Sequence, residues 1–178
     1  MNKHLEEYKA LRDEIDSKCS ELWSMHKSNM QCGAGCSSCC QAFKILPVEF
    51  DYINQKLKEE GIDTDKPNKK GECKYLVDNK CSIYAHRPII CRTHGYPLVR
   101  LNEEVEEYEV SYCHLNFKSF SLEKFNANNV FFEDTYNSKL FQVNKNYLDS
   151  LPNTDCEQGQ LLELNDTGKS KKKQNNNS

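Results

Sequence analysis

Residues 32–43, "CGAGCSSCCQAF", place four cysteines within nine positions, and six more cysteines lie elsewhere in the chain. Thiols at this density can pair as disulfides, attack an electrophile, or hold a metal ion. The spacing Cys32-x3-Cys36-x2-Cys39 lets one short loop wrap a single ion, as in zinc sites and iron–sulfur clusters. Cys40, adjacent to Cys39, is harder to place on the same ion because neighbouring side chains diverge. The pair therefore serves two metals, or one cysteine bridges, or one is spare. Cys73, Cys81, Cys91 and Cys113 follow at wider intervals and bring the candidate ligands to eight, enough for two tetrahedral sets. Cys19 falls on the apolar stripe of a helix, where a free cysteine packs as a small core residue. Cys156 lies apart from the others.

The compartment decides between disulfide and metal. The N-terminus "MNKHLEEYKALRDEIDSKCSELW" is charged throughout and has no apolar signal region, so a cytoplasmic chain is expected. No window approaches eighteen consecutive apolar residues, and no membrane partner is expected. In a reducing cytoplasm a cysteine-rich chain binds metal more readily than it forms structural disulfides. The formal net charge of −3 gives no sign of nucleic-acid binding. No P-loop, GxGxxG, HExxH, GxSxG or deaminase signature is present.

The elements that must position these thiols are read from periodicity. In residues 3 to about 30, Leu5, Tyr8, Leu11, Ile15, Cys19, Leu22 and His26 recur at helical steps. Gly33 and Gly35 loosen the backbone between ligands. Pro47 opens a second helix with Val48, Ile53 and Leu57 buried and Gly61 at its end. The polar stretch 62–72 reads as a loop. "CKYLVDNKCSIYA" reads as a hairpin. A three-residue turn, Asp78 to Lys80, is favoured because it pairs Val77 with Cys81 and puts Cys73 and Cys81 on one face; a two-residue turn separates them. "HRPIICRTHGYPL" reads as a helical turn between loops, and "EEVEEYEVSYCHL" as a strand. A last helix runs from about Asn128 to Ser150, and residues from Asn165 onward read as disordered.

With 37% hydrophobic residues and a mean hydropathy of −0.83, the core is thin for 178 residues, and a metal staple would compensate. The fold expected is α+β, mainly helical: one small domain with a short β-hairpin organised around a cysteine metal cluster. Its parts are an N-terminal amphipathic helix (1–31), a cysteine-cluster metal-binding core (32–115), a C-terminal helical part of the same domain (116–160) and a disordered tail (161–178).

The run "CGAGCSSCC" followed by "CKYLVDNKCSIYAHRPIICRTHG" resembles the zinc- or iron-chelating cysteine-cluster family (YkgJ-like, CxxCxxCC). The matching positions are Cys32, Cys36, Cys39, Cys40, Cys81, Ile83, Tyr84, Arg87, Pro88, Cys91 and Arg92. The resemblance implies a metal-binding protein holding zinc or iron, the latter including a 4Fe-4S cluster, and leaves any protein partner open. Flagellin lysine N-methylases share the cysteine pattern, which implies a metal- or cluster-dependent enzyme as the alternative. The spacing is also similar to that of radical S-adenosylmethionine enzymes, but no βα alternation accompanies it. Arg87 and Arg92 would offset thiolate charge; His94 and His114 lie beside candidate ligands and are alternatives for one position of a Cys3His site, although an arbitrary His is more often not a ligand.

Overall fold

In a computed structural model, which describes residues 2–33, 35–62, 71–152 and 154–168, the chain forms four α-helices and three small sheets. Helix α1 spans Lys3–His26. The Asn2 side chain accepts the His4 N–H at 2.9 Å, which satisfies one of the orphan donors of the first turn. All seven residues of the expected stripe are buried, together with Arg12. A 3₁₀ turn, Lys27–Asn29, ends the helix and delivers the chain to the cysteine loop.

A two-residue strand β1 (Lys44–Ile45) precedes α2 (Pro47–Glu60). Glu49 reaches back to the Leu46 N–H at 3.2 Å, half of a capping box. Gly61, at φ +62°, closes the helix in the left-handed conformation. Two faces of α2 are buried on different clusters. Val48 and Tyr52 pack with Leu5, Ile15, Leu22, Phe131 and Leu148, whereas Ile53 and Leu57 pack with Ile45, Tyr75, Ile83 and Leu164. Each fully buried Leu or Ile contributes about 1.5–3 kcal/mol, so α2 binds the helical layer to the cysteine-bearing layer.

The hairpin differs from expectation. Strands β2 (Leu76–Val77) and β3 (Lys80–Cys81) pair Leu76 with Cys81 and Val77 with Lys80. The turn is therefore the two-residue Asp78-Asn79, both at positive φ (49° and 58°), as a type I′ turn requires. The short turn does not separate Cys73 from Cys81, because the strand begins only at Leu76. Cys73 lies in the preceding turn, its carbonyl accepting the Leu76 N–H at 3.1 Å, and strand alternation does not reach it. Both sulfur-bearing residues pack against the second cluster.

Helix α3 (Ile89–Thr93) is followed by β4 (Leu98–Asn102), which pairs antiparallel with β5 (Glu107–Ser111) and parallel with β6 (Phe131–Phe132). Phe131 is thus a strand residue, and α4 starts later than expected, at Glu133–Asp149. Phe141, on α4, is about half exposed at 51%.

The chain end is a second correction. Strand β7 (Leu162–Glu163) pairs with β1, and a 3₁₀ turn, Leu164–Asp166, follows. Thr167 is fully buried, accepting the Tyr75 hydroxyl and the Lys74 ammonium. The polar composition of 165–168 hid this because the polar groups find partners inside. Residues 169–178, also read as disordered, and most of the 62–72 loop lie outside the described residues. Among the described residues no helix is long and apolar enough to cross a membrane.

Candidate metal centre

Two backbone devices shape the cysteine loop. The Cys36 N–H donates to Gly33 at 3.1 Å and the Cys40 N–H to Ser37 at 2.9 Å, which winds the loop into successive turns. Gly35, at φ +92°, allows the reversal between them. The Ser37 hydroxyl donates to Asn79 Oδ1 at 3.1 Å and ties the loop to the hairpin turn. Beyond Cys40, Gln41 pairs antiparallel with Glu72, and the Ala42 N–H donates to Gly71 at 3.0 Å. That register sets Cys40 opposite Cys73.

Seven of the eight candidate cysteines line one cavity of about 660 Å³. Cys32, Cys36, Cys39 and Cys40 come from the loop; Cys73 comes from the turn that leads into the hairpin, Cys81 from its second strand, and Cys91 from the first turn of α3. Cys113 is not on this cavity wall, and Asn116 connects it to Cys32. The Asn116 backbone N–H donates to the Cys113 carbonyl at 2.9 Å. Its side-chain Nδ2 donates to the Cys32 sulfur at 3.3 Å and to the Gly95 carbonyl at 2.7 Å. Its Oδ1 accepts the Gln31 N–H at 2.8 Å. Gly95, at φ +101°, makes room for that sulfur, since a Cβ there would stand 2.8 Å from it. Neither role was visible beforehand: a lone Asn three residues after a cysteine carries no signal.

All ten cysteines are free thiols. Cys19 is 6% exposed in the helical cluster, its sulfur 3.7 Å from the Arg92 carbonyl, and burial pushes its thiol up to about 12. It is a core residue, as its place on the stripe implies. Cys156 packs at the edge of the same cluster.

The cavity thiols resist ionisation one by one. Burial, then the neighbouring Cys40, Cys32 and Cys36, push Cys39 up to about 11. Cys40 is raised by burial and then by Cys73 and Cys81, and Cys91 is raised by burial and then by the same two. Burial also raises Cys32, where the Asn116 hydrogen bond opposes it. The Arg87 guanidinium lies 3.9 Å over the Tyr84 ring, and its charge lowers Cys32, Cys81 and Cys91. Clustered thiols that repel one another's charge are relieved by a bound cation, which holds them as thiolates and displaces their protons. The donor set is thus chemically suited to zinc or iron: soft, all-sulfur and free of carboxylates. As the side chains stand, no three His, Cys, Asp or Glu groups among the described residues are drawn together tightly enough to hold an ion.

Arg92 spends its guanidinium on the protein frame and donates to none of the cavity sulfurs. It is 5% exposed, and its fork is consumed by Asp16 (2.7 and 2.5 Å), the Ala85 carbonyl (2.6 Å) and the Arg87 carbonyl (2.9 Å). It clamps α3 to α1. His94 lines the cavity, its imidazole pKa lowered by burial, whereas His114 does not line it.

Residues 31–114 match the family model CxxCxxCC, described as a putative zinc- or iron-chelating domain. No curated protein and no solved structure matches the chain significantly. The matched stretch begins one residue before Cys32 and ends one after Cys113. It contains all eight candidate ligands and excludes Cys19 and Cys156.

Proposed function

We propose that this chain, whose residues 31–114 carry the CxxCxxCC domain, is a metal-binding protein. It chelates zinc or iron through Cys32, Cys36, Cys39, Cys40, Cys73, Cys81, Cys91 and Cys113. One observation carries the reading: three separate segments bring seven of these thiols to one cavity, and Asn116 links the eighth to Cys32. A purely structural set of cysteines would be buried as Cys19 is. All-thiolate sites accept both zinc and 4Fe-4S clusters, and absorption of anaerobically purified protein separates them. A broad band near roughly 400 nm marks an iron–sulfur cluster, and a colourless protein with stoichiometric zinc marks the other. The working compartment is the cytoplasm, with metal as the partner and neither nucleic acid nor membrane involved.

The second reading is an enzyme resembling flagellin lysine N-methylase. The cavity volume of about 660 Å³ favours it, because metal ions alone would leave much of that space open, and Trp23, Phe43, Ile83 and Tyr96 add apolar wall. Titration of the metal-loaded protein with S-adenosylmethionine tests this reading. Saturable binding supports the enzyme, and its absence leaves chelation alone.

A further inference from the structure

We infer that Asn165 is a positioning residue for Cys73, which makes the C-terminal strap, residues 162–168, a working part of the metal centre. The inference rests on the chelation reading and concerns how one of its thiols is held. The strap lies beyond the matched stretch, which ends at residue 114. Asn165 grips the chain on both sides of Cys73. Its Oδ1 accepts the Lys74 N–H at 3.0 Å, and its Nδ2 donates to the Glu72 carbonyl at 2.8 Å. A carboxamide suits this task because it offers an acceptor and a donor side by side, as a backbone peptide does. The bonded groups belong to the two peptide planes that flank Cys73, and each plane is rigid. With both planes held, the backbone at Cys73 is fixed and its sulfur keeps only the rotation about χ1.

The strap is anchored firmly enough to act as a clamp. The Leu164 N–H donates to the Phe43 carbonyl at 2.9 Å, extending the β1–β7 pair, and the Gly168 N–H donates to Asn54 Oδ1 at 2.5 Å. Thr167, fully buried, meets the Tyr75 hydroxyl two residues after Cys73. Leu164 is 1% exposed in the apolar cluster that Cys73 and Cys81 pack against, and it lines the cavity with them. From the other side, Gln41 bridges Glu72, and the Ala42 N–H donates to Gly71. Segments 41–45, 71–75 and 162–168 therefore close a ring of hydrogen bonds around Cys73, and Asn165 supplies the link at that residue. Asn165 itself is only half-buried, so its replacement takes no side chain out of either apolar cluster. Its loss frees one thiol rather than opening the helical frame.

The test compares the full-length chain with Asn165→Ala, both metal-free and both folded by circular dichroism. Pulse alkylation should label Cys73 about 3- to 10-fold faster in the variant, the change expected when local opening loses one hydrogen bond. Cys32, Cys36 and Cys39 should keep their rates. Cobalt(II) then serves as a coloured stand-in for zinc, because its thiolate charge-transfer band grows with each sulfur bound. The variant should bind cobalt about 10- to 100-fold more weakly, with a weaker band at saturation. Equal Cys73 rates, or a faster rate shared by all the cavity thiols, would overturn the positioning role. A selectively freed Cys73 with unchanged cobalt affinity and band would show that Cys73 is not a ligand. That result overturns the inference and leaves chelation through the other thiols standing. A folded wild-type chain that takes up no cobalt would overturn chelation and the inference with it. If the variant fails to fold, amide hydrogen exchange of the wild type decides. The Lys74 amide should be protected, and exchange as fast as in an exposed loop would overturn the clamp.

Discussion

Asn116→Ala should damage both the fold and the metal site. Asn116 is 1% exposed, and its amide joins three segments: residue 31 before the cysteine loop, Gly95 after α3, and its own turn at Cys113. Alanine leaves the buried Gly95 carbonyl without its 2.7 Å donor and the Gln31 N–H without its 2.8 Å acceptor. An orphaned buried group costs about 1–3 kcal/mol. The Gly95 carbonyl belongs at the upper end, and the Gln31 N–H, on an exposed residue that water can reach, at the lower. Together they predict a loss of about 2–4 kcal/mol, a large part of the 5–15 kcal/mol that typically holds a domain. The lost donor to the Cys32 sulfur should weaken metal binding by about 10- to 100-fold, as loss of a ligand's supporting hydrogen bond does. Urea unfolding under chelation reads the first effect, and competition with a chromophoric chelator reads the second. Asn116→Asp keeps the acceptor for Gln31 but sets a carboxylate oxygen against the sulfur, so it should bind metal at least as poorly as the alanine variant. A stability change under about 0.5 kcal/mol with unchanged metal affinity would refute the role given to this residue.

Three further outcomes follow from the same geometry. Gly95→Ala combines a left-handed backbone with a Cβ 2.8 Å from the Cys32 sulfur, so it should cost about 1–3 kcal/mol and lower the metal content; an unaltered midpoint and metal ratio would contradict this. Arg92→Lys cannot reproduce the fork shared by Asp16 and two carbonyls, and should lower stability by about 1–3 kcal/mol while leaving metal affinity unchanged in the folded fraction. Glu49, buried on α2, accepts from Tyr8, Leu46 and Ile89, yet burial still raises its carboxyl above the ordinary value of 4.5. As pH rises from that value the unfolded chain loses its proton first, so stability should fall until Glu49 ionises in the folded state as well. Urea midpoints measured across that range should show the decline in the wild type and not in Glu49→Gln; equal slopes would refute it.

The helical frame was legible because period and burial agree. The stripe from Leu5 to His26 and the residues Val48, Ile53 and Leu57 are all buried as their spacing requires. Seven of the eight cysteines singled out in the sequence line one cavity, and they stood out because cysteine at Cys-x3-Cys-x2-Cys spacing has few other uses. What failed depended on tertiary contact. The hairpin register was argued from alternation over a strand that is only two residues long, and Asp78-Asn79 overrode it by adopting positive φ at both positions. Residues 165–168 looked like a polar tail until Tyr75 and Lys74 supplied partners for Thr167. Arg92 looked like a counter-charge for sulfur because its sequence neighbour is Cys91. Asp16, 76 positions away, claims it instead. Asn116 and Gly95 could not be foreseen, since both act on Cys32, which lies 84 and 63 residues from them and meets them only through folding.

The most direct test of chelation through these eight thiols is the metal-to-protein ratio of the anaerobically purified chain and its ten single Cys→Ser variants. The wild type should carry zinc or iron. Cys19→Ser and Cys156→Ser should match it, and substitution at Cys32, Cys36, Cys39, Cys40, Cys73, Cys81, Cys91 or Cys113 should release metal. A folded wild-type chain that is free of metal, or a Cys19→Ser variant as depleted as Cys36→Ser, would contradict it.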